Sequence, residues 1–363
     1  MIYLDYQATT PLAPEAREAM LRWLDGPEGP GFGNPHSSHR LGRQAAAAVE
    51  AARDKVAALF PPGGRVVFTS GATEAINLAL RGCAPAVAGQ AQAISAIEHA
   101  AVLDTALALP GDTHILPVDG EGLVDPQVPL PSGIGIVSVM QVNNEIGTIQ
   151  PVAQLCERAR AMGALFICDA VQAAGKMPIL DADMIAISAH KFHGPKGIGA
   201  LWLRDGIDLV PQATGGGQEW GMRSGTLSPA LCAGMGAAAA VAVERMEDDA
   251  RHVEALWALA RDLFAGWQLN GSDTLRYRGN LNLRRDGLDV ARLMSDVRSV
   301  CFSAGSACAS EQDKPSRILA AIGLDTRQAG GSIRLGIGRY TTAAELERAA
   351  ELINIAAAQQ DSM

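Results

Sequence analysis

A lysine shortly after a short apolar run is the first residue whose position suggests chemistry. Met184 to Ile187 form an apolar run with the length of a buried strand, and the Gly-Pro-Lys-Gly segment at 194–197 predicts a loop after it. Lys191 therefore lies just past a strand end, where α/β folds place their ligands. Between His190 and His193, it is a candidate to bind a carbonyl compound covalently. The alternative is a solvated surface lysine, as most lysines are.

An aspartate ends a second apolar run in the same region of the sequence. Ala164 to Cys168 are followed directly by Asp169, 22 residues before Lys191. Pyridoxal 5'-phosphate needs an acidic partner for its ring nitrogen, because the protonated ring draws electrons from the bound substrate. Asp169 meets this need, and Gln172 is predicted to contact the ring hydroxyl. A helix cap is the alternative role of Asp169, but an aspartate and a lysine at two nearby strand ends favour the cofactor.

A strand, a glycine turn and a helix follow one another between residues 65 and 80. Arg65 to Thr69 are β-branched and aromatic and predict a strand, whereas Glu74 begins a helical segment. The turn between them, Ser70 to Thr73, offers free N–H groups and the positive end of the helix dipole to a phosphate. An ordinary strand-to-helix turn gives the same pattern. The alternation of strands and helices continues to residue 162 and predicts a mainly parallel sheet covered by helices.

Ten motifs, including the three above, occur in one order along nearly the whole chain. They span residues 3–11, 33–37, 68–74, 98–99, 142–147, 169–172, 188–197, 223–226, 305–308 and 332–334. With these motifs the chain resembles the group I cysteine desulfurases, within the class V aminotransferase-like pyridoxal phosphate enzymes. A single motif would be weak evidence, whereas the ordered series is highly specific.

The resemblance implies the α/β pyridoxal phosphate-dependent transferase fold, of the aspartate aminotransferase type. We expect a large cofactor-binding domain over residues 11–240, built on a mainly parallel sheet. A smaller α+β domain is expected from residues 1–10 and 241–363, carrying the loop with Cys308. Residues 229–264, as one long helix or two, are predicted to link the two. The family also implies a homodimer, in which Thr226 matches a threonine that reaches the phosphate of the neighbouring subunit.

The resemblance also assigns roles to individual side chains. Lys191, Cys308 and His99 are expected to be catalytic, with His99 stacking on the cofactor ring and handling protons. Without the resemblance, His99 would be interpreted as a helix cap or a core histidine. Arg334 is expected to bind the substrate carboxylate, although a surface salt bridge is the alternative. No metal is expected in the resting enzyme. The predicted cofactor-binding residues are Ala72, Thr73, His99, Asn144, Asp169, Gln172, Ser188, His190, Lys191 and Thr226.

The segment around Cys308 has an unusual composition. Residues 303–310 are small or polar and include a glycine, so few side chains can anchor the segment to a core. Cys308 is therefore a candidate reactive thiol on a mobile loop rather than a small buried cysteine. The remaining cysteines fit burial better; they are Cys83, Cys156, Cys168, Cys232 and Cys301.

The resemblance implies conversion of L-cysteine to L-alanine. The thiolate of Cys308 would attack the substrate sulfur, keep it as a persulfide and pass it to an acceptor protein. That acceptor would be an iron–sulfur scaffold or a protein of thio-cofactor assembly. The chain ends soon after its last predicted helix, whereas relatives often have a longer tail for scaffold docking, so the acceptor stays open. Three alternatives are a selenocysteine lyase, a sulfur-relay subunit with little activity alone, and an aminotransferase of the same fold.

Composition limits the remaining functional classes. A formal net charge of −9 without a basic block argues against nucleic acid as a partner. No apolar run approaches the length of a membrane span, and Met1 to Asp5 do not resemble a signal peptide. The six cysteines form no CxxC pair and suggest a reducing compartment. We therefore expect a cytoplasmic enzyme that binds neither nucleic acid nor membrane.

Overall fold

Two sheets organise the chain, and a long helix contributes to the cores of both. The computed structural model describes residues 1–29, 31–305 and 316–361. The strands are β1 (Ile2–Tyr3), β2 (Gly64–Thr69), β3 (Ala91–Ser95), β4 (Thr113–Leu116), β5 (Ile134–Ser138), β6 (Leu165–Asp169), β7 (Met184–Ser188), β8 (Gly199–Arg204), β9 (Gln268–Leu269), β10 (Asn280–Arg284), β11 (Val300–Cys301), β12 (Ser303–Ala304) and β13 (Ser332–Gly336). The helices are α1 (Pro14–Leu21), α2 (Arg40–Ala57), α3 (Ala72–Cys83), α4 (Ala100–Leu107), α5 (Val152–Ala161), α6 (Pro229–Leu263), α7 (Val290–Asp296), α8 (Arg317–Ala321), α9 (Thr326–Gly330) and α10 (Ala343–Asp361).

The larger sheet has seven strands in the order β2-β8-β7-β6-β5-β3-β4. Pairs from β7 through β4 are parallel, whereas β8 is antiparallel to both of its neighbours. The sheet is thus mainly parallel, as predicted. The sequence pattern had not indicated β8, whose apolar run extends the buried centre of the sheet.

Helices cover both faces of this sheet because neighbouring strand residues alternate in direction. Phe166 belongs to a cluster with α2 and the first half of α6, whereas the next residue, Ile167, belongs to a cluster with α3 and α4. Strands β5 and β7 are buried along their whole length. Continuous burial of this kind explains their uninterrupted apolar sequences.

The smaller of the two sheets has four antiparallel strands in the order β12-β13-β10-β9. Its apolar face packs on α10 and on the second half of α6, including Leu256 and Trp257. Leu4 from the N-terminal arm is fully buried in the same cluster, and β1 pairs in parallel with β11. These contacts support the predicted grouping of residues 1–10 with the C-terminal part, while the exact domain boundaries stay a prediction.

Two helix starts show how the sequence fixes this arrangement. Residues 229–263 form one continuous helix rather than two, with Pro229 in the first turn and the Ser228 hydroxyl accepting from the Leu231 N–H. A capping box starts α10: Thr342 and Glu345 each accept the other's backbone N–H. In the described ranges, none of the helices is both long enough and apolar enough to cross a membrane.

Candidate active site

A cavity of about 540 Å³ opens where β6, β7 and the start of α3 converge. The position at the carboxyl ends of parallel strands is the one that α/β sheets use for ligands. Nearly all of the residues predicted to bind cofactor or substrate line this one cavity. They are Ala72, Thr73, His99, Asn144, Asp169, Gln172, Ser188, His190, Lys191 and Arg334.

Lys191 ends a short 3₁₀ turn, Ala189–Lys191, that directly follows β7. Its Nζ donates to the backbone oxygens of Gln7 at 2.5 Å and Ala8 at 2.9 Å. Burial, helped by the charge of Arg334, lowers the pKa of Lys191 to about 8. A part of the population therefore carries a neutral amine near neutral pH, which a nucleophilic lysine requires.

Asp169 is the last residue of β6 and is 5% exposed. One carboxylate oxygen accepts the N–H of Val171 at 2.9 Å, so the residue closes a turn instead of capping a helix. Burial raises the pKa of Asp169, and His99 and Lys191 oppose that rise. A buried carboxyl group at this position is suited to share a proton with a ring nitrogen.

His99 both lines the cavity and caps α4. Its Nδ1 accepts the N–H of Ala101 at 3.0 Å, which leaves Nε2 to carry the proton of the neutral ring. The capping role, which the sequence offered as an alternative, is therefore correct. It also fixes the ring at the cavity wall, so it does not compete with the predicted catalytic role.

The start of α3 forms the opposite end of the cavity. Gly71 precedes the helix, and no side chain in the described part of the chain caps its first turn. Residues 70–74 line the cavity, and the Ser188 hydroxyl lies beside Gly71, about 4.0 Å from where a Cβ would stand. An uncapped helix start with an adjacent hydroxyl has the donors that a phosphate needs.

Arg334 lies in β13 with a side chain that is 1% exposed. Its Nη2 donates to Asp5 Oδ1 at 2.9 Å and Ser303 Oγ at 3.3 Å, and its Nη1 donates to the Asn144 backbone oxygen at 3.1 Å. The Nε has no hydrogen-bond partner among the described residues. The predicted alternative, a surface salt bridge, is therefore wrong, because the Arg334 side chain is buried and lies at the cavity.

These side chains fit pyridoxal 5'-phosphate. The cavity presents an acidic group on one strand end, a lysine on the next and an uncapped helix start for a phosphate. Asn144 Oδ1 is buried without a hydrogen-bond partner in the described ranges, which is costly unless a ligand supplies a donor. A ring hydroxyl is such a donor.

Three predicted residues need separate comment. Thr226 is exposed and is not among the residues that line the cavity of its own chain. Gln172 lines the cavity, but its side chain donates to the Gln7 backbone oxygen at 3.0 Å and accepts from Lys176 at 3.0 Å. Cys308 lies outside the described residues.

The cysteines that the structure describes are free thiols, and four of them are buried. Burial raises the pKa of Cys83, Cys156 and Cys232 to about 12 and raises that of Cys168 as well. These four thiols are thus unsuited to form a thiolate near neutral pH, as the sequence indicated.

The sequence had not assigned a role to the N-terminal arm or to Lys176. Backbone oxygens of Gln7 and Ala8 bind Lys191, and Asp5 binds Arg334. The arm lies within a quoted motif, but nothing in its residue types distinguishes a backbone acceptor. Lys176 donates to Gln172 and lies 5.2 Å from the Tyr277 ring centroid.

Comparison with known proteins identifies the class to which this fold and site belong. The model of the family "Aminotransferase class-V" matches residues 2–349, and the chain belongs to that family. A solved structure described as a NifS-like protein superposes with a TM-score of 0.89 at 31% identity, covering 98% of each chain.

Within the family the similarity points to one branch. The protein named cysteine desulfurase IscS from Rickettsia bellii is 42% identical over 97% of this chain and 90% of its own length. A solved structure described as SspA in complex with cysteine is 32% identical, with a TM-score of 0.81 over 94% of this chain and all of that one. The predicted resemblance to cysteine desulfurases is thereby confirmed.

Proposed function

We propose that the protein is a pyridoxal phosphate-dependent cysteine desulfurase that converts L-cysteine to L-alanine and keeps the sulfur as a persulfide on Cys308. The observation that carries the proposal is the joint placement of Asp169, Lys191 and Arg334 around one cavity in a chain of this family. Nothing in the cavity or the comparisons favours a selenocysteine lyase. The experiment below distinguishes a desulfurase from the alternative, a sulfur-relay subunit with little activity alone.

Two side chains and the start of α3 would position cofactor and substrate. Asp169 would hold a proton at the ring nitrogen, and the amide groups at the start of α3 would bind the phosphate. Arg334 would bind the substrate carboxylate through donors on the cavity side of its guanidinium group. When bound, the cofactor supplies an electron sink for the substrate carbon that loses its proton.

Lys191 would transfer the substrate's α-proton. Its pKa of about 8 allows the amine to accept a proton and to release it near neutral pH. The backbone oxygens of Gln7 and Ala8 can hold the Nζ whenever it is not bonded to the cofactor. His99, oriented by its bond to Ala101, would keep a donating Nε2 at the cavity wall.

The sulfur step would belong to Cys308. Its thiolate attacks the sulfur of the substrate, an S–S bond forms and the carbon–sulfur bond breaks. The carbon that retains the electron pair takes a proton and leaves as part of alanine. The persulfide sulfur then passes to an acceptor protein, for which an iron–sulfur scaffold is our proposal.

We also propose a homodimer that shares its active sites and works in a reducing compartment such as the cytoplasm. Thr226 is exposed and is not in the lining of its own chain's cavity, which leaves it available to a second copy. Several large apolar side chains are exposed as well, including Leu24, Phe32 and Trp220. The free thiols at four buried positions support the reducing compartment.

One experiment tests the central proposal. The purified holoenzyme is incubated with L-cysteine without any partner, and alanine and protein-bound persulfide are measured together. We expect alanine in excess over enzyme when a thiol reductant removes the persulfide. Less than one alanine per chain with the reductant present would favour the sulfur-relay alternative. In a parallel incubation without the reductant, alanine formed without any protein-bound persulfide would contradict the sulfur step.

A further inference from the structure

The side-chain amide of Gln172 is held at both of its ends. Gln172 follows β6, three residues past Asp169, lines the cofactor cavity and is 3% exposed. Its Nε2 donates to the Gln7 backbone oxygen at 3.0 Å, and its Oε1 accepts from Lys176 Nζ at 3.0 Å. These two bonds determine which way the amide is turned in the wall of the cavity.

Lys176 reaches Gln172 from outside the cofactor cavity. It follows Gly175, which has a φ of +70° and packs so closely on Phe192 that a Cβ there would lie 2.7 Å from that side chain. Lys176 Nζ also lies 5.2 Å from the Tyr277 ring centroid. Lys176 lines a separate cavity of about 210 Å³ and not the cofactor cavity, so it is placed to act on a bound cofactor through Gln172.

The chemistry of the two partners sets the direction of the Gln172 amide. The oxygen and nitrogen of an amide have nearly the same shape, so the hydrogen-bond partners decide which atom lies where. Burial lowers the pKa of Lys176 to about 7, but its Nζ carries donor hydrogens in both protonation states, whereas the Gln7 backbone oxygen only accepts. Oε1 thus lies beside Lys176 and Nε2 beside Gln7. Nε2 has two N–H donors, and the second is available to a ligand.

A donor on Gln172 complements the acceptor on Asn144. Both residues line the cofactor cavity, and Asn144 Oδ1 is buried without a hydrogen-bond partner in the described ranges. A hydroxyl group can donate to one oxygen and accept from one N–H at the same time. The ring hydroxyl of the proposed cofactor would therefore be satisfied by Asn144 Oδ1 and Gln172 Nε2 together. With the Gln172 amide reversed, two acceptors would compete for one hydrogen.

We propose that Lys176 is a positioning residue that keeps the Gln172 amide turned with Nε2 toward the ring hydroxyl of pyridoxal 5'-phosphate. The inference rests on the proposed function, because it requires that cofactor in the cavity. Without the Lys176 donor, Oε1 would lose its partner and only the Gln7 oxygen would hold the amide. Lys191 uses the same oxygen at 2.5 Å. A buried acceptor without a partner is costly, so the amide would turn Oε1 toward donors in the cavity.

Titration of the cofactor-free, full-length protein with pyridoxal 5'-phosphate, without cysteine, tests this role. Lys176→Met removes the donor and keeps the length of the side chain. We expect its cofactor affinity to fall about fivefold, since about one hydrogen bond to the cofactor is weakened. The visible absorption spectrum of the bound cofactor should shift as well, because the ring hydroxyl exchanges a donor for an acceptor.

A double-variant comparison separates positioning from a direct effect of the Lys176 charge. Gln172→Leu should lower the cofactor affinity by itself. Adding Lys176→Met to Gln172→Leu should then change the affinity by less than about twofold, because no amide remains to be positioned. Arg278→Met is the matched control: Arg278 lines the same cavity as Lys176 and donates to the Asp273 backbone oxygen. It removes a positive charge without touching the Lys176–Gln172 bond and should keep affinity and spectrum.

Three results would overturn the proposal. They are an unchanged affinity and spectrum in Lys176→Met, the full fivefold loss when Lys176→Met is added to Gln172→Leu, and an equal loss in Arg278→Met. The last two would show a direct effect of charge. Failure of the desulfurase assay leaves these titrations interpretable, because no cysteine is present. A complete lack of cofactor binding by the unaltered protein would contradict the proposed function and this inference with it.

Discussion

Asp5 forms an ion pair with the buried Arg334 at an Oδ1–Nη2 distance of 2.9 Å, although the two residues lie 329 positions apart. The second carboxylate oxygen of Asp5 accepts from the Ser303 hydroxyl at 2.9 Å. The N-terminal arm is thus held in the site from one side by Arg334 and from the other by Lys191, which binds the oxygens of Gln7 and Ala8. The N-terminal arm is therefore part of the site and not only a connection to α1.

We expect Asp5→Ala to raise the KM for L-cysteine about tenfold with little change in kcat. The carboxylate orients the guanidinium group of Arg334, and a charge-assisted hydrogen bond of this kind contributes about 1.5–3 kcal/mol. Steady-state kinetics check the expectation. Asp5→Asn retains an acceptor and should show a smaller rise in KM. An unchanged KM in Asp5→Ala would mean that Arg334 keeps its orientation through Asn144 and Ser303 alone.

Lys191→Ala should abolish the covalent attachment of the cofactor while leaving some cofactor bound without a covalent bond. The amine of Lys191 lines the same cavity as the proposed acid partner, Asp169, and the start of α3. Borohydride reduction followed by peptide mass analysis shows where the cofactor is attached. Lys196→Ala, in the following loop, is the matched control and should retain the linkage at Lys191. A reduced linkage at Lys176 in unaltered protein would contradict the assignment.

Lys176→Met should alter how the stability of the cofactor-free protein depends on pH. Burial lowers the pKa of Lys176 from 10.5 to about 7, so between these values the unfolded chain binds more protons than the folded one. The contribution of Lys176 to the free energy of unfolding therefore rises with pH from about 7 upward, by at most about 1.4 kcal/mol per pH unit. Denaturant unfolding at several pH values should show this rise in unaltered protein and a smaller one in the variant. Parallel curves would show that Lys176 stays protonated.

Much of the fold could be predicted because its strands and helices have strong local signals. The apolar runs before Asp169 and Lys191 are the buried strands β6 and β7, and the Thr342–Glu345 box begins α10. Strand ends are harder to predict: Val139 and Met140 continue the apolar sequence of β5, but the strand ends at Ser138. Local composition does not show where pairing to a neighbouring strand stops.

Some residues of the candidate site could likewise be predicted from the sequence, and others could not. Side chains at the carboxyl ends of strands, such as Asp169 and Ser188, could be placed from the pattern, because parallel strands bring these ends to one edge of the sheet. The contacts of Asp5, Gln7 and Ala8 could not, since they join distant parts of the chain and two of them use backbone oxygens.

A mixed-dimer experiment tests whether Thr226 serves the partner's site. In one mixed dimer, a Lys191→Ala chain pairs with a Thr226→Ala chain. Its single site with Lys191 receives an intact Thr226 from the partner chain and should bind cofactor normally. In the other mixed dimer, an unaltered chain pairs with a chain that carries both Lys191→Ala and Thr226→Ala. Its single site with Lys191 receives alanine at position 226 from the partner chain and should bind cofactor several-fold more weakly. Cofactor titration of the two purified mixtures gives the comparison. The reverse order would place Thr226 in its own chain's site.

Cys308→Ala should retain cofactor and substrate binding but reduce alanine formation at least a hundredfold, since none of the described thiols is suited to replace Cys308. The four buried cysteines have raised pKa values, and Cys301 is fixed in β11, where it pairs with Tyr3. Cys301→Ala is therefore the matched control and should keep its activity. After treatment with L-cysteine, mass analysis should find the extra sulfur on Cys308. Full alanine production without Cys308, or the sulfur on Cys301, would show that the persulfide forms elsewhere and would overturn the proposed sulfur step.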